Sequence, residues 1–136
     1  MTQYWLMKSE PDEYGWDDLV AEKEGVWDGV KNAQASNNMK KMKAGDQVFF
    51  YHSRQGLEIV GIMEVSEEQF PDPFDDTGRW VAVKVKPVRK LDKTVTLKDM
   101  KQNPKLSDLP IIRQSRLSVA PVTKAQWDVI LEMSSN

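Results

Sequence analysis

Few side chains of this 136-residue chain suit catalysis. The sequence contains one histidine, His52, and no cysteine, which excludes disulfides, thiol nucleophiles and thiolate metal sites. A zinc site needs about three protein ligands, so here it would consist almost entirely of carboxylates. The sequence has no glycine-rich phosphate loop, Gly-x-Ser-x-Gly elbow or His-Glu-x-x-His motif. We therefore expect a protein without a catalytic centre, a metal ion or a cofactor.

Aromatic side chains give a stronger indication of binding. The chain has five tryptophans, and two of them lie in polar surroundings. Trp27 precedes Asp28 and Gly29, and Trp80 follows Arg79. A flat indole offers a stacking face worth roughly 1 to 3 kcal/mol per nucleobase. Trp27 and Trp80 are therefore candidate walls of a pocket for one unstacked base, and the alternative is that both fill the interior of the fold.

Charge is distributed unevenly along the chain, although the net charge is only -2. Residues 1–78 contain 7 Lys and Arg against 16 Asp and Glu, whereas residues 79–116 contain 11 against 3. A basic segment in an otherwise acidic protein is typical of a phosphate-binding face, and the alternative is a solvated, lysine-rich surface. The residues expected to border the pocket mouth and attract phosphates are Arg79, Lys84, Lys86, Arg89, Arg113 and Arg116.

The elements that would position these side chains are mostly strands. Apolar or alternating runs predict strands at 4–8, 47–52, 57–65 and 80–88, with a further strand in 116–122. A turn at Arg54 to Gly56 would join the second and third strands as a hairpin. Helices are predicted at 17–23, closed by Gly25, within 32–43, from Thr96 to before Pro104, and after a capping box at Thr123.

The pattern as a whole predicts one domain over residues 1–136, because no repeat or linker interrupts it. Trp127 shares a helical face with Ile130 and Leu131 and is assigned to the core. Trp5 and Trp16 are expected to be core or staple residues. Strands in antiparallel order predict an α+β fold, an antiparallel β-barrel of about five or six strands with flanking helices. No apolar run approaches the length of about 18 residues that crosses a bilayer, so we expect a soluble protein. We also expect it to be a cytoplasmic monomer.

Five segments resemble motifs of the EVE domain and of the thymocyte nuclear protein family, in the same order and at compatible spacing. They are residues 4–11 (YWLMKSEP), 27–32 (WDGVKN), 50–53 (FYHS), 61–65 (GIMEV) and 113–122 (RQSRLSVAPV). The resemblance implies a PUA-like fold, related to the YTH domain, that reads modified bases. YTH domains read N6-methyladenine, and EVE domains read modified cytosine or adenine. A reader of a modified base in DNA or RNA is therefore the expected function.

The resemblance also implies roles for individual residues. Trp27 and Trp80 would be two walls of an aromatic cage. Those expected near the base edge are Lys8, Ser9 and Glu10, and those expected to line or rim the pocket are Asn32, His52, Ser53, Arg113, Gln114 and Arg116. The alternative for His52 is a structural side chain with its hydrogen bonds satisfied. The chain departs from the family at Ala33 and Ser36, where an aromatic residue and an arginine are common.

Two other functions stay open at this point. The related ASCH domains include amidohydrolases that act on modified nucleosides, and Lys8 with Glu10 or Glu64 would imitate a Lys and Glu pair. A buried lysine of lowered pKa beside a carboxylate would favour that function. A protein-interaction module would instead present an exposed apolar patch in place of a deep pocket.

Overall fold

A six-stranded sheet organises the molecule. A computed structural model describes residues 2–54 and 56–135. The strands are β1 (Tyr4–Ser9), β2 (Gly25–Trp27), β3 (Gln47–His52), β4 (Glu58–Pro71), β5 (Val81–Thr96) and β6 (Val119–Val122). The helices are α1 (Trp16–Glu22), α2 (Ala33–Lys40), α3 (Leu97–Gln102), α4 (Pro110–Arg113) and α5 (Lys124–Ser134), with a 3₁₀ helix at Pro104–Leu106. The order of the strands in the sheet is β2-β5-β4-β3-β1-β6.

The α+β class with six strands is confirmed, but the sheet is mixed and is not a closed barrel. Among the described residues, β2 and β6 form its two ends. β1 and β3 run parallel, with Lys8 beside Tyr51 and Ser9 beside His52. Parallel pairing is possible because α1, β2 and α2 supply the long crossover that it requires. As a result, the carboxyl ends of β1 and β3 meet at the same edge of the sheet.

The strands that follow form long antiparallel ladders. The predicted pairing of β3 with β4 is confirmed, and its predicted turn at Arg54 to Gly56 includes Gln55, which lies outside the described residues. β4 and β5 extend well beyond the predicted strands and pair with several register shifts. Such bulges bend a strand and increase its twist. β6 is shorter than predicted and pairs with β1.

The helices begin and end at identifiable residues. Thr123 caps α5 through the predicted capping box, in which its hydroxyl accepts from the Gln126 N–H at 3.1 Å. Lys23 caps the C-terminus of α1 with a left-handed φ of 68°, a role that the sequence assigned to Gly25. Gly25 is required instead in β2, because a Cβ there would collide with the Tyr14 hydroxyl. No helix in the described part of the chain is long and apolar enough to span a membrane.

The core contains Trp127, as the sequence predicted, and also Trp5 and Trp16. Trp5, Trp16 and Trp127 are each no more than 5% exposed. Trp127 stacks on Phe49 with ring centroids 3.8 Å apart. The buried Trp5 Nε1–H donates to Asp46 Oδ2 at 3.0 Å, which satisfies the polar end of that ring.

Candidate functional site

A cavity of about 1370 Å³ opens where the carboxyl ends of β1 and β3 meet. The parallel pairing places these ends together, and the Ser53 N–H donates to the Ser9 carbonyl at 2.8 Å. The remaining walls come from β2 and the turn after it, from the loop between β4 and β5, and from α3 and α4. The cavity is therefore assembled from segments distant in sequence and has room for a ligand of nucleotide size.

Trp27 supplies a rigid aromatic wall. Trp27 lines the cavity, and it is also part of the hydrophobic core, because the residue is only 7% exposed. Tyr14 packs edge-on against it at 6.2 Å and 89°, and Phe50 does so at 5.4 Å and 82°. Edge-to-face contacts from two rings favour one orientation of the indole. The backbone is fixed as well, since Trp27 pairs with Val83 of β5.

Phe74 lines the same cavity from the loop between β4 and β5, and it is 78% exposed. Its N–H donates to Asp72 Oδ1 at 2.8 Å, while Asp72 Oδ2 accepts from the Gly29 N–H at 2.8 Å. Asp72 is 4% exposed, so one buried carboxylate joins the loop of Phe74 to the turn after Trp27. Sequence reasoning missed both residues, and the available signal was an aromatic residue inside a loop rich in proline and aspartate.

The end of the cavity at β1 and β3 is polar. Lys8 Nζ donates to the Ser115 carbonyl at 3.0 Å and lies 5.6 Å from the centroid of the Tyr51 ring. Burial lowers the pKa of Lys8 and raises the pKa of Tyr51 to about 12. Ser9 Oγ donates to the Tyr14 carbonyl at 2.7 Å. A protonated Lys8 has further N–H groups besides the one bound to Ser115, and the raised pKa keeps the Tyr51 hydroxyl protonated, so both can donate at the cavity. The Ser9 hydroxyl supports the backbone instead.

Charged side chains of both signs surround the cavity. The acidic ones are Glu10, Glu13, Glu22, Glu24 and Asp28, and the basic ones are Lys8, Lys31, Arg54, Lys101 and Arg116. Glu10 Oε1 pairs with Arg54 Nε at 2.8 Å. Burial and the nearby Asp72 raise the pKa of Asp28. Within the described residues, no group of three or more potential metal ligands is present.

A model of the EVE domain matches residues 3–133. Thymocyte nuclear protein 1 from Mus musculus is 31% identical, over 98% of this chain and 74% of the relative. The chain belongs to the EVE domain family. Both similarities span almost the whole chain, in agreement with the resemblance of its five sequence motifs.

Solved structures share the fold of this EVE domain. Rpa0253 from Rhodopseudomonas palustris, solved by NMR, has a TM-score of 0.93 and 43% identity, over 98% of this chain and 94% of that chain. Human THYN1 protein, crystallised with 5-methylcytosine containing DNA, has a TM-score of 0.89 and 30% identity, over 99% of each chain. The YTH domain of Zygosaccharomyces rouxii MRB1, crystallised with N6-methyladenosine RNA, has a TM-score of 0.63 and 17% identity, over 98% of this chain and 86% of that chain. The YTH likeness shows a related fold alone.

Six of the residues that the sequence predicted for the base pocket line the cavity of the EVE domain. They are Lys8, Ser9, Glu10, Trp27, Asn32 and Ser53. Asn32 also caps α2, because its Oδ1 accepts from the Ala35 N–H at 2.9 Å. Ser36, where the family commonly has an arginine, is 3% exposed and does not line the cavity. The departure at Ser36 therefore lies inside the domain.

Trp80 does not line the cavity, in contrast to the expectation that it faces Trp27 there. Its N–H donates to Asp75 Oδ2 at 2.8 Å, and its carbonyl accepts from the Asp72 N–H at 3.0 Å. The Arg79 guanidinium lies over its ring at 4.4 Å. These contacts hold Trp80 at the base of the loop between β4 and β5, and Phe74 is the aromatic residue of that loop at the cavity.

His52 likewise does not line the cavity. Its Nε2 accepts from the Trp16 N–H at 3.2 Å, and its ring lies edge-on to Phe50. Burial lowers the pKa of His52, which keeps Nε2 available as an acceptor. The histidine therefore supports the first turn of α1, in agreement with the structural alternative weighed from the sequence.

The predicted phosphate-binding residues are distributed over several surfaces. Arg116 lines the cavity, and Arg113, Gln114 and Arg116 line a second cavity of about 300 Å³ that shares Asn32 and Ser115 with the first. Arg79, Lys84, Lys86 and Arg89 line neither of these cavities. Lys86 Nζ pairs with Glu64 at 3.3 Å, and Arg113 Nη2 pairs with Asp108 at 2.8 Å. The cations at the cavity that sequence reasoning missed are Lys31, Arg54 and Lys101.

Proposed function

We propose that this EVE domain is a nucleic-acid-binding reader that holds one modified base, of the methylated cytosine or adenine type, in the cavity beside Trp27. The observation that carries the proposal is the fixed indole at the wall of an open cavity that the donors Lys8 and Tyr51 also line. The similarity to human THYN1, which was crystallised with 5-methylcytosine containing DNA, supports this class of ligand. The exposed ring of Phe74 is available to cover the base from outside.

Binding without catalysis is supported by the way the ionisable groups are paired. The amidohydrolase alternative needs Lys8 beside the carboxylate of Glu10 or Glu64. Burial lowers the pKa of Lys8, but its ammonium donates to a backbone carbonyl. Glu10 pairs with Arg54, and Glu64 pairs with Lys86. We therefore propose a domain that binds nucleic acid without converting it and without a cofactor.

Exposed apolar surface also supports a ligand in the cavity over a separate protein-binding patch. Among the described residues, the large hydrophobic ones that are exposed are Val20, Val26, Leu57, Phe74 and Val88. Val26, Leu57 and Phe74 line the cavity.

A single domain over residues 1–136, a monomeric state and a cytoplasmic location stay predictions from the sequence.

The stacking wall is tested by titrating single-stranded oligonucleotides into variants of the protein in a calorimeter. Trp27→Leu keeps apolar volume in the core but removes the indole face, and Phe74→Ala changes an exposed ring. Each should weaken binding by roughly 1 to 3 kcal/mol, for 5-methylcytosine and cytosine alike, because both bases stack. The methyl group itself should add about 0.8 kcal/mol, roughly a fourfold preference.

Trp80→Leu is the matched control, because it removes an indole that does not line the cavity. It should bind these oligonucleotides as the wild type does. If Trp27→Leu and Phe74→Ala both bind with wild-type affinity while remaining folded by circular dichroism, the base does not stack in this cavity and the proposed function is wrong.

A further inference from the structure

Asp28 is placed directly beside the stacking wall. It follows Trp27 in the chain, lines the cavity and is half-buried. The backbone is held on both sides of it. Trp27 belongs to β2, and the next residue, Gly29, has a φ of 73° and donates its N–H to Asp72 Oδ2 at 2.8 Å. The fixed backbone on both sides therefore holds the Cα of Asp28 at one place in the wall of the cavity.

The carboxylate of Asp28 is not neutralised by a cation within the described part of the chain. The acidic residue Glu10, which lines the same cavity, has Arg54 as its partner. The electrostatic neighbours of Asp28 are instead the carboxylate of Asp72 and the hydroxyl of Tyr14. Burial, and then the repulsion by Asp72, raises the pKa of Asp28. A partly desolvated carboxylate beside a second one gains stabilisation from an N–H donor on a ligand.

We propose that Asp28 selects bases that carry an exocyclic amino group, by accepting a hydrogen bond from that group while the base stacks on Trp27. This inference rests on the proposed function and names the chemical class that the site admits. Carboxylate side chains accept from the cytosine N4 amino group in direct readout. N6-methyladenine also keeps one N–H at its exocyclic nitrogen. A carbonyl oxygen in the same place, as in thymine or hypoxanthine, faces the carboxylate with no proton to share and is repelled.

The test uses 5-methylcytosine and thymine, because both carry the 5-methyl group and they differ at ring positions 3 and 4. An oligothymidylate with one central 5-methylcytosine is compared with the all-thymine strand of the same length. Wild-type protein should bind the 5-methylcytosine strand about tenfold more tightly, or better. In Asp28→Asn the side-chain amide can donate to the thymine carbonyl. The affinities for the 5-methylcytosine strand and the all-thymine strand should then differ by no more than about threefold. Asp76→Asn removes the same charge from an exposed residue that does not line the cavity, and it should keep the wild-type ratio.

A second comparison needs no variant, and so it does not depend on how Asp28→Asn folds. Wild-type protein should bind an oligothymidylate with one adenine more tightly than the same strand with one hypoxanthine, which replaces the amino group by a carbonyl. Equal affinity for adenine and hypoxanthine, or an unchanged ratio in Asp28→Asn, would overturn the role of Asp28 and leave the reader function standing. Failure of the wild type to bind strands with 5-methylcytosine or N6-methyladenine would refute the reader function itself.

Discussion

The side chain of His52 lies at the first turn of α1, where its Nε2 accepts from the Trp16 N–H at 3.2 Å. An imidazole nitrogen accepts a hydrogen bond only while it is unprotonated. Burial lowers the pKa of His52 below its usual 6.5, Lys90 acts in the same direction, and Glu58 and Asp17 oppose both effects. The hydrogen bond therefore belongs to the neutral ring, and protonation would place a cation where an acceptor is needed.

A loss of stability in mild acid follows from this hydrogen bond. The unfolded chain binds a proton at His52 at a higher pH than the folded chain does. The free energy of unfolding should therefore fall as the pH drops below about 6.5 and through the lower folded-state pKa. His52→Gln keeps an acceptor near Trp16 and removes the titration, so it should lose less stability between about pH 7.5 and pH 5. Urea unfolding at both pH values measures the difference, on the scale of one hydrogen bond, about 1 kcal/mol. Equal losses in the two proteins would contradict the role of His52.

Residue type and local context pointed to some of the residues that line the cavity. Trp27 was found because an indole followed by Asp28 and Gly29 does not suit a core helix, and the structure places it at the cavity. Trp80 has an equally polar context, but two backbone hydrogen bonds to the loop residues Asp72 and Asp75 decide its position. Those bonds form inside one loop whose conformation its polar composition does not specify, so the sequence could not distinguish the two tryptophans.

Two loops at the cavity are held together by one side chain. Asp72 accepts from the Gly29 N–H and from the Phe74 N–H, both at 2.8 Å, and it is 4% exposed. The turn after β2 and the loop between β4 and β5 are thereby fixed relative to each other. Since these segments carry Trp27 and Phe74, the spacing of the two aromatic walls depends on Asp72.

Replacing this carboxylate should disturb ligand binding as well as stability. Asp72→Asn keeps the volume, but its amide nitrogen would face one of two N–H donors, at a cost of about 1 to 3 kcal/mol. We expect a lower free energy of unfolding in urea and weaker binding of a 5-methylcytosine oligonucleotide. Asp75→Asn is the control, because Asp75 bonds Thr77 and Trp80 inside a single loop. That variant should lose stability without losing affinity. Equal effects of both variants on affinity would show that Asp72 does not align the walls.

The ladder between β1 and β3 shows what the order of elements can predict. The individual strands were visible as apolar runs, and β3 with β4 was recognisable as a hairpin. The parallel pairing of β1 with β3 could not be recognised from the sequence, because two helices and β2 separate these strands in the chain. That pairing brings Lys8 and Ser53 to one edge, so the site has no local sequence pattern of its own. Only the resemblance to a family grouped those residues in advance.

Over the whole molecule, clustering of charge in the sequence does not become clustering in space. Many cations of residues 79–116 lie along β5, whose 16 residues extend up to roughly 50 Å at strand spacing. Arg116 lies at the cavity, whereas Arg89 does not, although both belong to this basic segment. Lys31 and Arg54 reach the cavity from the acidic part of the sequence.

The salt dependence of binding should therefore follow position at the cavity and not membership of the basic segment. Arg116 lines both cavities and is exposed, and among the described residues neither Arg116 nor Arg89 has an ion-pair partner. Each phosphate neutralised on a single strand contributes about -0.7 to the slope of log affinity against log salt. Arg116→Gln should reduce the magnitude of that slope by about 0.7, and Arg89→Gln should leave it unchanged. Titrations of one 5-methylcytosine oligonucleotide at four or more salt concentrations, on the order of 50 to 300 mM, measure all three slopes. If both variants reduce the slope equally, the strand contacts the outer face of β5 as well as the cavity mouth.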